Sequence, residues 1–267
     1  MKNIKLLNIP NPKELPENVI IRDGYAINNG FYYTEQSFFI PKQPYLLKDF
    51  RITYIVSGSA SIMINLVKYD VSAGDVLFIP SGSVVELQHV AENAYLKLFA
   101  SEEYLLEQPI HVRSDKNTLS IFSKSFDLID AMLRVSNCTY DSVLYVVSAL
   151  VEVAKHYPNK DINRYNTRLN KFISLVNVHC SENRDISFYA DKLCITSHYL
   201  SYFVKKHSGI SVMDWINKAV VQRAKILLKQ GKTTLQVAEE LNFISPNYFN
   251  RYFKRHTSLT PSEYKKS

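Results

Sequence analysis

Cysteine is scarce in this chain. The three present, Cys138, Cys180 and Cys194, are odd in number and stand in no metal-ligand spacing, so no disulfide framework is expected and a reducing compartment is. No apolar run approaches the length of a membrane span, and the opening stretch MKNIKLLNIPNPKELPEN has too short an apolar core for a secretory signal. A cytoplasmic protein with no membrane partner is expected. No Ser-His-Asp arrangement and no phosphate-binding loop stands in the sequence, so neither an enzyme nor a bound cofactor is expected. What is present is ordinary globular protein: 46% apolar and 21% charged residues over 267 positions, long enough for two domains.

Charge is the first asymmetry. Residues 160–267 hold 18 Lys and Arg against 8 Asp and Glu, a balance of +10, whereas residues 1–159 hold 14 against 17, a balance of −3. A basic segment joined to a slightly acidic one suggests a polyanion-binding domain beside a neutral one.

Residues 1–115 read as strands. Short apolar and aromatic runs recur at Gly30–Tyr33, Ser37–Ile40, Arg51–Val56, Ser59–Asn65, Val76–Ile79, Val84–Leu87 and Tyr95–Phe99. Turn residues such as Pro41, Pro44, Gly58, Ala73-Gly74-Asp75 and Pro80-Ser81-Gly82 separate them, as in a sandwich or barrel. Residues 116–157 change to a helical period. One stripe runs Leu119, Phe122, Phe126, Ile129, Leu133, and after a polar break a second runs Val143, Val147, Leu150, Ala154. Such a pair has two readings, packing within its own domain or an interface in a homodimer. The polar, proline-bearing stretch 158–165 is read as a linker, and 166–267 as a helical domain.

That last domain contains an internal repeat. Ala190-Asp191-Lys192-Leu193 followed by Thr196-Ser197-His198-Tyr199-Leu200-Ser201-Tyr202-Phe203-Val204-Lys205 returns as Ala238-Glu239-Glu240-Leu241 followed by Ser245-Pro246-Asn247-Tyr248-Phe249-Asn250-Arg251-Tyr252-Phe253-Lys254. The offset is 48 residues before the turn and 49 after it, so the second turn is one residue longer. Each copy is a helix with a small residue at the crossing, a tight turn, a hydroxyl N-cap and an amphipathic helix. That is the sequence form of a helix-turn-helix. In the second copy Pro246 suits the first helical position, and Tyr248, Phe249, Tyr252 and Phe253 form one apolar face. Asn247, Asn250, Arg251 and Lys254 fall on the other face. Asn pairs with adenine edges, Arg with guanine edges, and both Lys and Arg with phosphates. Between the copies Val212 to Lys229 reads as one helix of 18 residues, roughly 27 Å long. A strut of that size can hold two recognition helices in successive major grooves of double-stranded DNA.

The stretch from Ala190 to Tyr264 resembles the DNA-binding domain of AraC/XylS-type transcriptional regulators. The matching residues include Ala190, Leu193, Gly209, Ser211, Arg223-Ala224-Lys225, Val237-Ala238, Leu241-Asn242-Phe243, Tyr248-Phe249, Arg251, Phe253-Lys254, Thr260-Pro261 and Tyr264. Three positions depart from the pattern: Asn242 and Ser258 stand where Gly is usual, and Tyr202 where Arg is common. The resemblance implies promoter binding and control of transcription, usually activation through contact with RNA polymerase. It implicates Ser197, His198, Ser201, Tyr202 and Lys205 of the first recognition helix, and Asn247, Asn250, Arg251 and Lys254 of the second. Tyr199, Leu200, Tyr248, Phe249 and Phe253 are assigned to the core.

Ala73 to Gly82 resembles the strand-turn signature of the cupin-like sensor barrel of the same family. The fold class expected is therefore α+β, a cupin-like β-barrel with a helical pair followed by an all-α domain of two helix-turn-helix motifs. Metal-binding cupins need a His-x-His pair, whereas this segment has only His89 and His111, far apart. A barrel of this kind can hold a small-molecule effector. Tyr32, Tyr45, Arg51 and Tyr54 are its expected lining, with Arg51 facing an anionic group. The alternative is a regulator without ligand, whose front domain dimerises or binds a protein.

Overall fold

The computed structural model describes residues 19–22, 25–32, 41–102, 104–113, 116–135, 138–157 and 167–266. The expected strand run Ser37–Ile40 and the whole of the expected linker lie outside the described residues. The chain divides into two compact units, residues 1–42 with 47–163, and 43–46 with 164–267.

Among the described residues the first unit is built on nine strands, and one further short strand, the third in chain order, falls in the segment 43–46 that groups with the second unit. These are β1 (Val19–Arg22), β2 (Tyr25–Tyr32), β3 (Pro44–Leu46), β4 (Phe50–Ser57), β5 (Ser59–Ile64), β6 (Val67–Ser72), β7 (Val76–Ile79), β8 (Val84–Val90), β9 (Tyr95–Ser101) and β10 (Ile110–Val112). Among the described residues they form two hydrogen-bonded sheets, a six-stranded one in the order β1-β2-β9-β4-β7-β10 and a four-stranded one in the order β3-β8-β5-β6. The cupin-like layer pair is present, but hydrogen bonding does not close it into one barrel.

Two helices, α1 (Lys116–Arg134) and α2 (Tyr140–His156), complete the core of this unit. On β4 the residues Phe50, Ile52 and Tyr54 lie in that core at the period of two that a pleated strand imposes. They meet Phe122, Phe126, Ile129 and Leu133 of α1 and Val143, Val147, Leu150 and Ala154 of α2. The helical stripes read from the sequence are thus consumed by packing against the sheet. Packing within the unit accounts for these stripe residues. Thr139 caps α2, accepting a hydrogen bond from the Ser142 amide.

The second unit holds α3 (Thr167–His179), α4 (Ile186–Lys192), α5 (Ser197–Ser208), α6 (Val212–Lys229), α7 (Thr234–Glu240), α8 (Pro246–Thr257) and α9 (Pro261–Lys266). The central α6 has the bounds that the sequence predicts. Its sequence explains both ends. Ser211 and Asp214 form a reciprocal capping box at the start, and Gly231, one residue past the C-cap Gln230, takes a φ of 92°. The helix is buried over much of its circumference, with Trp215, Ile216, Ala219, Val220, Ala224, Leu227 and Leu228 all inside.

Candidate nucleic-acid interface

Helices α4 and α5 form one helix-turn-helix, and α7 and α8 the other. Ala190 and Ala238 are fully buried where the first helix of each motif meets the second. The turns have the same backbone chemistry. Cys194 and Asn242 both take a φ of 54°, and the next amide reaches back to the crossing alanine, Ile195 N to Ala190 O at 3.0 Å and Phe243 N to Ala238 O at 2.8 Å. Asn242 therefore adopts the left-handed conformation the sequence allows it. The extra residue of the second turn is Ile244, which is 96% exposed.

Each reader helix starts on a hydroxyl. Thr196 Oγ1 accepts from the Tyr199 amide and Ser245 Oγ from the Tyr248 amide, both at 3.2 Å. The repeat then extends beyond the readers, which the sequence reading missed although the offset of 49 continues. Gly209 and Ser258 are left-handed C-caps with φ of 78° and 65°. Ser208 Oγ and Thr257 Oγ1 each donate to a backbone carbonyl one turn back. Ser211–Asp214 and Thr260–Glu263 then cap the following helices in the same way. A Cβ on Gly209 would meet nothing within 4 Å, so the glycine serves backbone conformation rather than space. Ser258 carries a Cβ in the same conformation, which costs about 1–2 kcal/mol. Ser258→Gly should therefore raise stability by ~0.5–1 kcal/mol, after about 0.4–1 kcal/mol is returned through the freer unfolded chain. An unchanged or lower melting temperature would refute this.

The inner faces of the readers are Leu200, Phe203 and Val204 on α5, and Phe249 and Phe253 on α8. The outer face of α5 carries His198, Tyr202 and Lys205 exposed and Ser197 and Ser201 half-buried. The outer face of α8 carries Asn247, Arg251 and Lys254 exposed and Asn250 half-buried. The side chains singled out in the sequence thus share one face on each helix. Two core assignments need correction. Tyr199 is 41% and Tyr248 50% exposed, because the apolar stripe is wider than the arc of helix that the core covers. Each ring leans on an aromatic neighbour at the rim, Tyr199 on Phe203 at 6.0 Å and Tyr248 on Phe243 at 6.1 Å between centroids. Arg168 of α3 also donates from Nη1 to the Tyr199 hydroxyl at 3.2 Å.

Both readers are pinned to α6 by polar contacts. Trp215 Nε1 donates to Ser208 Oγ at 2.9 Å at the end of α5, and the Tyr252 hydroxyl donates to Asn217 Oδ1 at 2.8 Å from the middle of α8. Burial pushes the Tyr252 phenol up to about 12, so it stays a donor throughout the physiological range. Nothing in local spacing marks these ties.

The four residues expected to line a ligand site are engaged separately. Arg51 is buried, but its Nε donates to Asp49 Oδ2 at 2.6 Å and its Nη2 to Asp49 Oδ1 at 3.3 Å. Its charge is answered within the protein, so its expected role as receiver of a ligand anion is not supported. Tyr54 is packed in the core against Phe126, at 6.0 Å between centroids. Tyr32 is 65% exposed and leans on Tyr95, and Tyr45 is half-buried on β3. His89 and His111 stand on different sheets, His89 exposed and His111 buried beside Asp75 at 3.3 Å.

The model of a helix-turn-helix domain family matches residues 189–267. The C-terminal domain is of the AraC/XylS type. The chain is also similar over most of its length to the arabinose operon regulatory protein of Salmonella typhimurium, at 22% identity over 256 residues, covering 85% of this chain and 87% of that one. Its Escherichia coli counterpart is 32% identical over 84 residues, 31% of this chain and 29% of that one. Among solved structures, ToxT from Vibrio cholerae O395 matches with a TM-score of 0.45 and 16% identity, covering 92% of this chain and 98% of that one. The AraC/XylS assignment makes the protein a DNA-binding transcriptional regulator. Among the described residues no helix is long and apolar enough to cross a membrane.

Proposed function

We propose that the protein is a sequence-specific activator of transcription whose two reader helices enter successive major grooves of one DNA duplex, under the control of a small molecule bound by the first unit. The observation that carries the DNA reading is the pair of uncovered polar faces, on α5 and α8, both fastened to the single helix α6. In this reading Asn247 and Asn250 meet adenine edges and Arg251 a guanine edge. Ser197, His198, Ser201 and Tyr202 contact bases or phosphates, and Lys205 and Lys254 hold phosphates. The second reader carries more of the sequence choice, because the first has no arginine on its outer face. Contact with RNA polymerase is part of this reading, as the AraC/XylS resemblance implies. Similarity to an arabinose operon regulatory protein across both units supports a regulatory role for the first unit.

A second reading has an observation of its own. Two of the four side chains expected to meet a ligand, Arg51 and Tyr54, are engaged within the protein by Asp49 and Phe126, which favours a first unit that acts by dimerising or by binding a protein. Calorimetry of the full chain against a panel of metabolites separates the two: a binder that also changes promoter affinity supports the effector, and none across the panel supports the alternative.

A genome-wide footprint of the bound protein tests the DNA reading. Discrete sites with two sequence blocks are expected, and uniform coverage would overturn it. Lys254→Ala should weaken specific and random DNA alike and lower the salt slope of binding by about 0.9. A slope left unchanged would remove Lys254 from the phosphate contacts.

A further inference from the structure

Arg184 stands just before Asp185, the N-cap of α4. Its counterpart in the repeat, 48 residues on, is Lys232, just before Thr233, the N-cap of α7. Lys232 pairs with Glu240 at the far end of its own helix. The position matching Glu240 in the first copy is Lys192, and the same pairing there would set two cations together. Arg184 instead crosses to the other motif. Its Cζ lies 3.9 Å from the centroid of the Phe243 ring, and its Nη2 donates to the Leu241 carbonyl. Both partners belong to the turn of the second helix-turn-helix. Phe243 in turn touches Phe249 at 5.2 Å and Tyr252 at 5.0 Å between centroids, on the second reader itself.

A planar guanidinium that stacks on a ring and donates in its own plane fixes its partner in both angle and distance, which an ammonium does not. The Nε of Arg184 is buried without a hydrogen-bond partner among the described residues, so the contact rests on the ring face and the Leu241 carbonyl. Burial holds the pKa of this guanidinium below the usual arginine range. It remains charged, since arginine is not deprotonated in proteins.

We propose that Arg184 is a positioning residue that ties the start of the first helix-turn-helix to the turn of the second, and thereby sets the spacing between the two DNA half-sites the protein accepts. This rests on the two-reader reading above. Without the tie each motif keeps its own core, but the second reader is no longer presented at one fixed angle, and the gain from binding two sites at once falls.

The test uses the full chain. Sequences bound by the unaltered protein are selected from a random duplex library. Affinity is then measured for the selected duplex, for the same duplex with its second block scrambled, and for one with a base pair inserted between the blocks. Arg184→Met should lose about tenfold or more on the intact duplex and less than about twofold on the scrambled one. Its penalty for the inserted base pair should shrink relative to the unaltered protein. Arg184→Lys should recover part of the affinity without recovering the spacing preference. Equal losses on intact and scrambled duplexes, or an unchanged insertion penalty, would overturn the role of Arg184. A selection that returns a single block would overturn the two-reader reading, and the tie with it.

Discussion

Phe253→Ala is expected to destabilise the second helix-turn-helix by ~3–5 kcal/mol. The ring is fully buried, and its neighbours are themselves rings, Phe249 and Tyr264, each at 5.7 Å between centroids. Truncation removes the transfer energy of the side chain and leaves a cavity walled by aromatic planes that cannot collapse to fill it. The residue at the same place in the first copy is Val204, so the second copy relies more heavily on this one side chain. Urea unfolding followed by circular dichroism measures the effect, with Phe253→Leu as a control expected to cost less, about 1 kcal/mol, because most of the volume is kept. A loss below ~1 kcal/mol for the alanine variant would show that α8 is not held by this face.

The parts of this protein that were legible in the sequence are those written over short distances. The bounds of α6 follow from a period of 3.6 and from caps at Ser211 and Gly231, all local. So do the hydroxyl N-caps of α5 and α8 and the left-handed Asn242. The strands were legible as runs, but their partners were not. β4 lies between β9 and β7, an order fixed by contacts remote in sequence. The stripes on α1 and α2 announced burial without saying against what, since an amphipathic face looks the same whether it meets a sheet or a second chain.

The candidate site divides along the same line. Which residues lie on the outer face of each reader is a matter of helical spacing. How far the core climbs the helix is tertiary, and Tyr199 and Tyr248 were misassigned for that reason. Arg51 read as an available cation because nothing in local patterning shows that Asp49, two residues earlier on the same face of the chain, answers its charge. Arg184 did leave a trace. The repeat places Lys192 where the other copy has Glu240, and a charge reversed between two otherwise parallel motifs marks a cation that must find its partner elsewhere.

Arg251→Ala should cost ~1–3 kcal/mol on the specific operator and relax preference at one base pair, while leaving affinity for random duplex nearly as it was. The side chain is exposed on the outer face of α8, a helix whose twelve residues include no acid to compete for it. Its direction is set by its neighbour. The Tyr252 hydroxyl is held by Asn217 of α6, so the backbone that carries Arg251 cannot turn without breaking that bond. A guanidinium presented in this way can take both acceptors of a guanine edge at once, and the discrimination lies in that fork rather than in the charge. Arg251→Lys separates the two. It keeps the cation and should keep most of the affinity for random DNA, yet it should lose the base preference nearly as fully as the alanine variant, because an ammonium has no planar fork. Competition binding against duplexes differing at each position of the operator reads the outcome. A lysine variant that retained the preference, or an alanine variant that lost equally on specific and random DNA, would reduce Arg251 to one more phosphate contact beside Lys254.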